Sequence, residues 1–249
     1  MATMDERMGS AWGCRGIIGD IEPAVSAGPM VQWFYETAPA GVGLLAATLG
    51  IYEITDSQVE RALSQVDDAA KRLAASGAHC ICLGGTPLGI ASLDWNRQLV
   101  KRLEEASKLP STTTMINAVE ALTVLGAKKI VIASPFEEEL NKRHVKFWEE
   151  CGFNVVNLKG LGLRRNIDIK TLPASVPYNL AMEAYRETAG ADAIYMPCAS
   201  FGPPVAVECL ERDLGIPVVT STQALIWAGL KTLKIKEGAK GYGRLFECL

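Results

Sequence analysis

Short apolar segments of strand length alternate with longer segments of helical period along most of this chain. This alternation is typical of parallel α/β architecture, in which a helix follows each strand and covers the sheet. The pattern predicts strands over residues 16–19, 43–47, 79–83, 129–133, 155–158, 193–196 and 218–220. It predicts helices over residues 57–76, 94–107, 115–125, 137–151, 177–188, 204–214 and 222–233.

The sequence also contains an internal repeat. Segment 76–89 resembles segment 189–202, with glycine, alanine, isoleucine and a final glycine matching at a constant offset of 113. Each copy leads into a strand introduced by a proline and then into a hydroxyl-rich helix start, at 112–114 and 220–222. Because the match continues through these later elements, we favour a true repeat over chance similarity of two strand–helix units.

The repeat defines the predicted fold. We expect an α/β protein of two similar Rossmann-like halves, whose parallel sheets are related by pseudo-two-fold symmetry. The halves are residues 15–125 and 126–233, and segment 234–249 is expected to pack back on the first half. Since ligands of α/β sheets bind at the carboxyl ends of the strands, the active site is expected in the cleft between the halves.

The repeat places Gly85 and Cys198 at equivalent positions, each just after a strand. Cys198 precedes a helix expected to begin at Pro204, and backbone N–H groups near a helix start favour a thiolate. Such a thiol can act as an acid or a base. The alternative is an inert buried cysteine, which is our expectation for Cys80, Cys82, Cys151 and Cys209.

Composition narrows the function classes. The 249 residues are 49% apolar and carry a net charge of −3, and no basic tract with interleaved aromatics indicates a nucleic-acid partner. No apolar run is long enough to span a bilayer, and residues 1–16 do not resemble a secretory leader, so we expect a cytoplasmic protein without a membrane partner. The seven cysteines, an odd number, are expected to be free thiols.

Neither a metal nor a cofactor is expected. The chain has only two histidines, and no second cysteine pair completes a zinc site with Cys80 and Cys82. The loop 84–86 lacks the spacing of a nucleotide-binding fingerprint, although its backbone could hold an anion. The threonine-rich segments 112–114 and 220–222 could bind a carboxylate or simply cap helices. His144 is expected on the surface of its charged helix.

Several motifs together resemble the aspartate/glutamate racemase superfamily, and within it the arylmalonate decarboxylase and maleate isomerase branch. The resemblance covers residues 16–246, and the order and spacing of its motifs make it specific. The motifs are LGGT at 83–86, LPSTTT at 109–114, LGAKKIVIAS at 125–134, Cys198, GIPVVTS at 215–221 and GYGRLF at 241–246.

The resemblance implies a cofactor-independent mechanism. Racemases of this superfamily place one cysteine in each half, whereas this chain has Gly85 in the first half and Cys198 in the second. That is the decarboxylase pattern, in which a lone cysteine protonates one face of an enediolate. One acid suffices because loss of CO₂ generates the carbanion without a base. Thr86 matches the oxyanion-binding threonine, and the backbone at 85–86 and 199–200 would complete the anion hole.

Some positions depart from the family pattern. Phe136 replaces a tyrosine, Pro87 replaces a serine, and Ala199 and Ser200 replace two glycines. The hydroxyl of Ser134 or Ser200 could compensate for those lost.

Two further positions bear on the substrate. Asn166 resembles a substrate-binding asparagine of maleate isomerases. Asp20 or Glu22 lies where the family has proline or asparagine, and an acid there would repel a dicarboxylate.

The sequence therefore favours decarboxylation of an arylmalonate-like or other small dicarboxylate, with Cys198 as the proton donor. One alternative is a maleate-type cis–trans isomerase or an amino-acid or hydantoin racemase. It would require Cys198 as a nucleophile or Cys82 as a second acid. An alternative of another class is a non-catalytic protein that binds a small carboxylate. The expected partner is a small carboxylate substrate, and a homo-oligomer remains open.

Overall fold

A computed structural model describes residues 11–188, 190–238 and 242–249. Most of segment 1–16, which was not expected to be a leader, lies outside the described residues. Ala189, at the start of the second repeat copy, and Gly241, at the start of the last family motif, also lie outside them.

Two parallel four-stranded sheets form the framework, which confirms the predicted fold class. The first sheet has the order β2-β1-β3-β4 and the second has the order β6-β5-β7-β8. The strands are β1 (Gly16–Ala24), β2 (Val42–Ile51), β3 (Cys80–Leu83), β4 (Ser111–Thr113), β5 (Lys129–Phe136), β6 (Asn154–Leu163), β7 (Ala193–Met196) and β8 (Val218–Thr220). The matching orders give the two halves the same topology.

Helices connect the strands and cover both sheets. They are α1 (Gly28–Thr37), α2 (Asp56–Leu63), α3 (Val66–Ala75), α4 (Thr86–Gly89), α5 (Leu93–Ser107), α6 (Thr114–Val124), α7 (Glu138–Glu150), α8 (Asn166–Lys170), α9 (Ser175–Arg186), α10 (Pro204–Leu214) and α11 (Ser221–Thr232), followed by a 3₁₀ helix (Arg244–Cys248). Among the helices in the described ranges, none is long and apolar enough to cross a membrane.

The structure departs from the sequence pattern at several elements, including the helices α1 and α8, which the pattern does not predict. The helix expected over 57–76 is two helices, α2 and α3, and the Ser64 hydroxyl between them donates to the Arg61 carbonyl at 2.7 Å. Hydroxyl-to-carbonyl bonds of this kind compete with continuation of a helix. Strand β1 runs five residues beyond its predicted end, because Asp20 and Glu22 are buried within the strand.

Helices α6 and α11 form the seam between the halves. Helix α11 packs on α6 and on β3 of the first half, and it also contacts β8 of its own half. Gly229 of α11 lies against Ile18 of β1, and the Lys231 ammonium pairs with the Glu120 carboxylate of α6 at 3.1 Å. A single buried apolar cluster consequently extends from the first half into the second.

The terminal segment 234–249 touches both halves. Glu237 forms an ion pair with Arg15 of the first half at 3.0 Å. The 3₁₀ helix contacts α11 and β8, and the Arg244 N–H donates to a Glu211 carboxylate oxygen of the second half at 2.9 Å. The segment thus contacts the first half at its start and the second half at its end.

Close approach at the seam predicts a large effect for a small substitution. An ideal Cβ at Gly229 would lie 2.4 Å from Ile18 Cδ1, so we expect Gly229→Ala to lower the free energy of unfolding by about 1–3 kcal/mol through overpacking. Urea unfolding followed by circular dichroism measures this change. Gly28→Ala is the matched control, because a Cβ there has nothing within 4 Å. Equal stability of the two variants would contradict the seam packing.

Candidate active site

One cavity lies between the halves at the carboxyl ends of β1, β3 and β7. Its volume is about 30 Å³, and the space between its lining residues, with the open mouth included, is about 410 Å³. It brings together every predicted site residue except Ser134. The lining residues are Glu22, Pro23, Ala24, Ile51, Ile54, Gly85, Thr86, Pro87, Leu88, Phe136, Asn166, Cys198, Ala199 and Ser200.

The loops at Gly85 and Cys198 have the same backbone geometry. Gly85 has a φ of +88° and Cys198 a φ of +83°. The Gly85 carbonyl accepts from the Leu88 N–H at 3.1 Å, and the Cys198 carbonyl accepts from the Phe201 N–H at the same distance. A left-handed conformation is costly for a non-glycine residue and is concentrated at functional sites. The equivalence inferred from the repeat therefore exists in three dimensions.

The first-half loop has no room for a side chain at position 85. An ideal Cβ on Gly85 would lie 2.2 Å from Cγ of Pro23, well inside van der Waals contact. The ring of Pro23 thus fills the space that a first-half cysteine would need. The cavity receives a thiol from the second half alone.

The Cys198 thiol is protonated at neutral pH, contrary to the expected thiolate. Burial, the largest cause, and the nearby Glu22 carboxylate together raise its pKa to about 12, although a hydrogen bond from the Ser200 N–H acts in the opposite direction. Helix α10 begins at Pro204, six residues beyond the sulfur-bearing residue, and its dipole acts over about one turn. Desolvation therefore dominates, and the group is suited to donating a proton.

Thr86 supplies a buried hydroxyl to the cavity. It is the first residue of α4, and its Oγ1 is buried near the Tyr195 hydroxyl but makes no hydrogen bond within 3.5 Å among the described residues. An unpaired buried hydroxyl is costly, so a ligand oxygen that pairs with it would gain affinity. This geometry suits the anion-binding role that the family resemblance implies.

Ser134 does not line the cavity. Its Oγ is buried and accepts from the Phe136 N–H at 3.1 Å, so this hydroxyl fixes the turn that positions Phe136. Ser200 does line the cavity, and its N–H already bonds to Cys198. Of the two serines proposed to compensate for lost hydroxyls, only Ser200 is placed to meet a ligand.

His144 is buried, and its predicted surface position is wrong. It lies on the inner face of α7 with Leu140 and Trp148, four residues to either side, and stacks on Phe136 with ring centroids 5.9 Å apart. Burial lowers its pKa to about 3, so the ring is neutral. The charged neighbours that suggested exposure occupy the other face of the helix.

Asn166 lines the cavity and also joins the two halves. Its amide donates to the Ile51 carbonyl at 2.6 Å, and its backbone N–H donates to the Tyr52 carbonyl at 3.0 Å. Nearby, the Ile54 N–H donates to the Arg164 carbonyl at 2.9 Å. These hydrogen bonds close one side of the cleft. Asn166, which resembles a substrate-binding asparagine, is therefore part of the contact between the halves at the side of the site.

The threonine-rich segments cap helices. The Thr113 hydroxyl accepts from the Ile116 N–H, and Thr220 forms a capping box with Gln223. Neither segment lines the cavity. Thr222 supports it indirectly, because its hydroxyl donates to the Ala199 carbonyl at 3.1 Å. Capping is therefore the role that the structure shows for them.

Two residues at the end of β1 have roles that the sequence pattern does not indicate. Pro23 blocks the first-half position, and Glu22 lines the cavity rather than merely repelling an anion. The hydrophobic pattern ends β1 too early to reveal either.

Cys82, considered as a second acid, is buried in β3 outside the cavity. A hydrogen bond with Cys80, together with burial, raises the pKa of Cys82 well above its usual range.

This chain is similar in sequence and fold to several known proteins. A family model described as arylmalonate decarboxylase matches residues 23–246. The arylmalonate decarboxylase of Bordetella bronchiseptica is 28% identical over 207 residues, covering 82% of this chain and 85% of that protein. A maleate isomerase of Pseudomonas putida is 28% identical over 197 residues, covering 76% of this chain and 75% of that protein. A crystal structure of arylmalonate decarboxylase matches with a TM-score of 0.79 at 26% identity, over 93% of this chain and 99% of that one.

The raised pKa of Cys198 predicts slow alkylation. Because iodoacetamide reacts with the thiolate, we expect Cys198 to react at least about 100-fold more slowly than a model thiol at pH 7. Its rate should continue to rise with pH toward a pKa of about 12. Peptide mass spectrometry follows each thiol, with the exposed Cys14 as an internal comparison and Cys198→Ser to identify the signal. Rapid labelling of Cys198 at neutral pH would contradict a protonated resting state.

Proposed function

Because this chain belongs to the arylmalonate decarboxylase family, we propose that it is a cofactor-independent decarboxylase of an arylmalonate-like or other small dicarboxylate. In this proposal Cys198 donates a proton to one face of an enediolate formed by loss of CO₂. Carbon–carbon cleavage leaves its electron pair in the enediolate, the S–H bond breaks, and a C–H bond forms. The resulting thiolate recovers a proton from water.

One observation carries the proposal. The cavity has a thiol at Cys198, while Pro23 occupies the space beside Gly85 that a second thiol would need. A reaction that needs an acid and no thiol base fits this asymmetry. The raised pKa of Cys198 supports the same role, because a protonated thiol is ready to donate.

The anion hole is proposed around Thr86. Its unpartnered hydroxyl and the cavity-lining backbone at 85–86 and 199–200 would stabilise the developing enediolate. Pro87 adds no backbone donor because it lacks an N–H. Part of the cavity wall is apolar and would solvate a carboxylate poorly, which favours loss of that carboxylate as CO₂. The apolar residues are Ile51, Ile54, Leu88 and Phe136.

A maleate-type cis–trans isomerase is the second candidate, and the similarity to the Pseudomonas putida maleate isomerase favours it. That reaction would use Cys198 as a covalent nucleophile, for which the thiolate is required. Burial opposes formation of that thiolate in the free site. The protonated thiol therefore favours the decarboxylase. A binding protein without chemistry is the remaining alternative, and it would retain the cavity but show no turnover.

The test uses 2-methyl-2-phenylmalonate and maleate in deuterated buffer, followed by proton NMR and chiral chromatography. We expect CO₂ release and 2-phenylpropanoate with one α-deuterium and, at early times, a single configuration. Cys198→Ala should lower the rate by about 10²- to 10⁴-fold, the usual contribution of a positioned acid.

Cys209→Ala is the matched control, since Cys209 is a half-buried thiol outside this cavity. It should retain the wild-type rate. Conversion of maleate to fumarate without decarboxylation would favour the isomerase. Binding of either compound without turnover would favour the binding protein.

A further inference from the structure

Two carboxyl groups are buried on one face of β1. Asp20 and Glu22 are two residues apart, so their side chains project from the same face of the strand. Asp20 is fully buried, and neither of its carboxyl oxygens has a hydrogen-bond partner among the described residues. Burial and the neighbouring Glu22 raise the pKa of Asp20 well above its usual range, which favours its neutral form. The two carboxyls thus lie together beside the cleft, where burial favours the protonated form of each.

Glu22 reaches the cavity from the first half. It lines the same cavity as Cys198, is 5% exposed, and immediately precedes the Pro23 ring that occupies the space beside Gly85. Its Oε1 accepts from the Ala24 N–H at 3.1 Å. The carboxyl is therefore held at the first-half wall, while the thiol comes from the second half.

The internal symmetry identifies the second-half counterpart of Glu22, a residue that lies outside the cavity. Ile18 pairs with Cys80 in the first sheet, and Ile130 pairs with Ala193 in the second, so β1 and β5 correspond at an offset of 112. Glu22 then corresponds to Ser134. Both side chains accept a backbone N–H from the residue two positions later, each at 3.1 Å. The first half presents a proton-carrying carboxyl where the second half has only a hydroxyl.

The charges around Glu22 set its protonation. Burial raises its pKa to about 7, whereas the Ala24 N–H and the Lys170 ammonium of α8 act in the opposite direction. Asp20, whose pKa is also raised, lies on the same strand, and Cys198, on the loop after β7, lines the same cavity as Glu22. A group that changes protonation near neutral pH can both accept and release a proton efficiently.

We propose that Glu22 is the proton-transfer group of the first half and works with Cys198 on the α-carbon of a 2-arylcarboxylate. The Glu22 carboxylate removes the α-proton, so an O–H bond forms and the C–H electron pair enters the enediolate. The Cys198 thiol then delivers its proton to the other face, breaking S–H and forming C–H. Solvent exchange resets both groups, and the net result is inversion at the α-carbon with incorporation of one solvent hydrogen.

This activity goes beyond the proposed decarboxylation and shares only its enediolate chemistry. The two are separable because exchange begins from a monocarboxylate that has no CO₂ to lose. The probes are the separate enantiomers of 2-phenylpropanoate in deuterated buffer. Proton NMR measures loss of the α-proton, and chiral chromatography measures inversion.

The wild-type protein should exchange and invert both enantiomers, with an exchange rate that rises as pH increases through about 7, where Glu22 becomes ionised. Glu22→Gln should lower exchange by at least about 100-fold, in the range for loss of a general base. The matched control is Glu36→Gln, an exposed glutamate of α1 outside the cavity, which should leave exchange unchanged.

Absence of exchange in the wild-type protein would overturn the inference, whether or not 2-methyl-2-phenylmalonate is decarboxylated. Equal exchange by wild type and a folded Glu22→Gln would also overturn it. If the variant fails to fold, the pH dependence of the wild type decides: an exchange rate that does not change from pH 5 to pH 9 would overturn the inference. Exchange without decarboxylation would support Glu22 and refute the proposed decarboxylase.

Discussion

The packing of α6 against α11 is the contact on which the two-sided site depends. These helices join the two sheets, which have few direct contacts with each other. The carboxyl ends of β1, β3 and β7 therefore lie at one cavity. Gly229 permits the close approach of α11 to β1. Each half supplies only part of the site, so the distance between Glu22 and Cys198 is set by this seam rather than by either sheet alone.

Backbone geometry, more than side-chain identity, makes the two halves equivalent. Gly85 and Cys198 adopt nearly the same left-handed φ, although only glycine does so at little cost. The strain at Cys198 persists because the surrounding loop holds it, through the Phe201 N–H on its carbonyl and the Thr222 hydroxyl on the next carbonyl. The same bonds point the thiol into the cavity, and burial there keeps it protonated.

The sequence predicts the framework well because strand and helix periods are local signals. The repeat offset of 113 is sufficient by itself to pair Gly85 with Cys198. Local signals fail where burial depends on the rest of the fold. Asp20 and Glu22 suggest the end of a strand, yet β1 continues through both, and His144 lies among charges in sequence but packs on Phe136. The hydrogen bond between Asn166 and Ile51 joins residues 115 positions apart, so no local sequence pattern predicts it.

The residues hardest to predict are those that define the chemistry. A carboxyl at position 22 suggests repulsion of an anionic substrate when its charge is assumed from its usual pKa. Burial between the halves changes that assumption, because a carboxyl with a pKa of about 7 is neutral for part of the working range. In its neutral form Glu22 can donate a hydrogen bond to a substrate carboxylate, and in its ionised form it can remove a proton. The same desolvation keeps Cys198 protonated, so one physical effect prepares both an acid and a base in a single cavity.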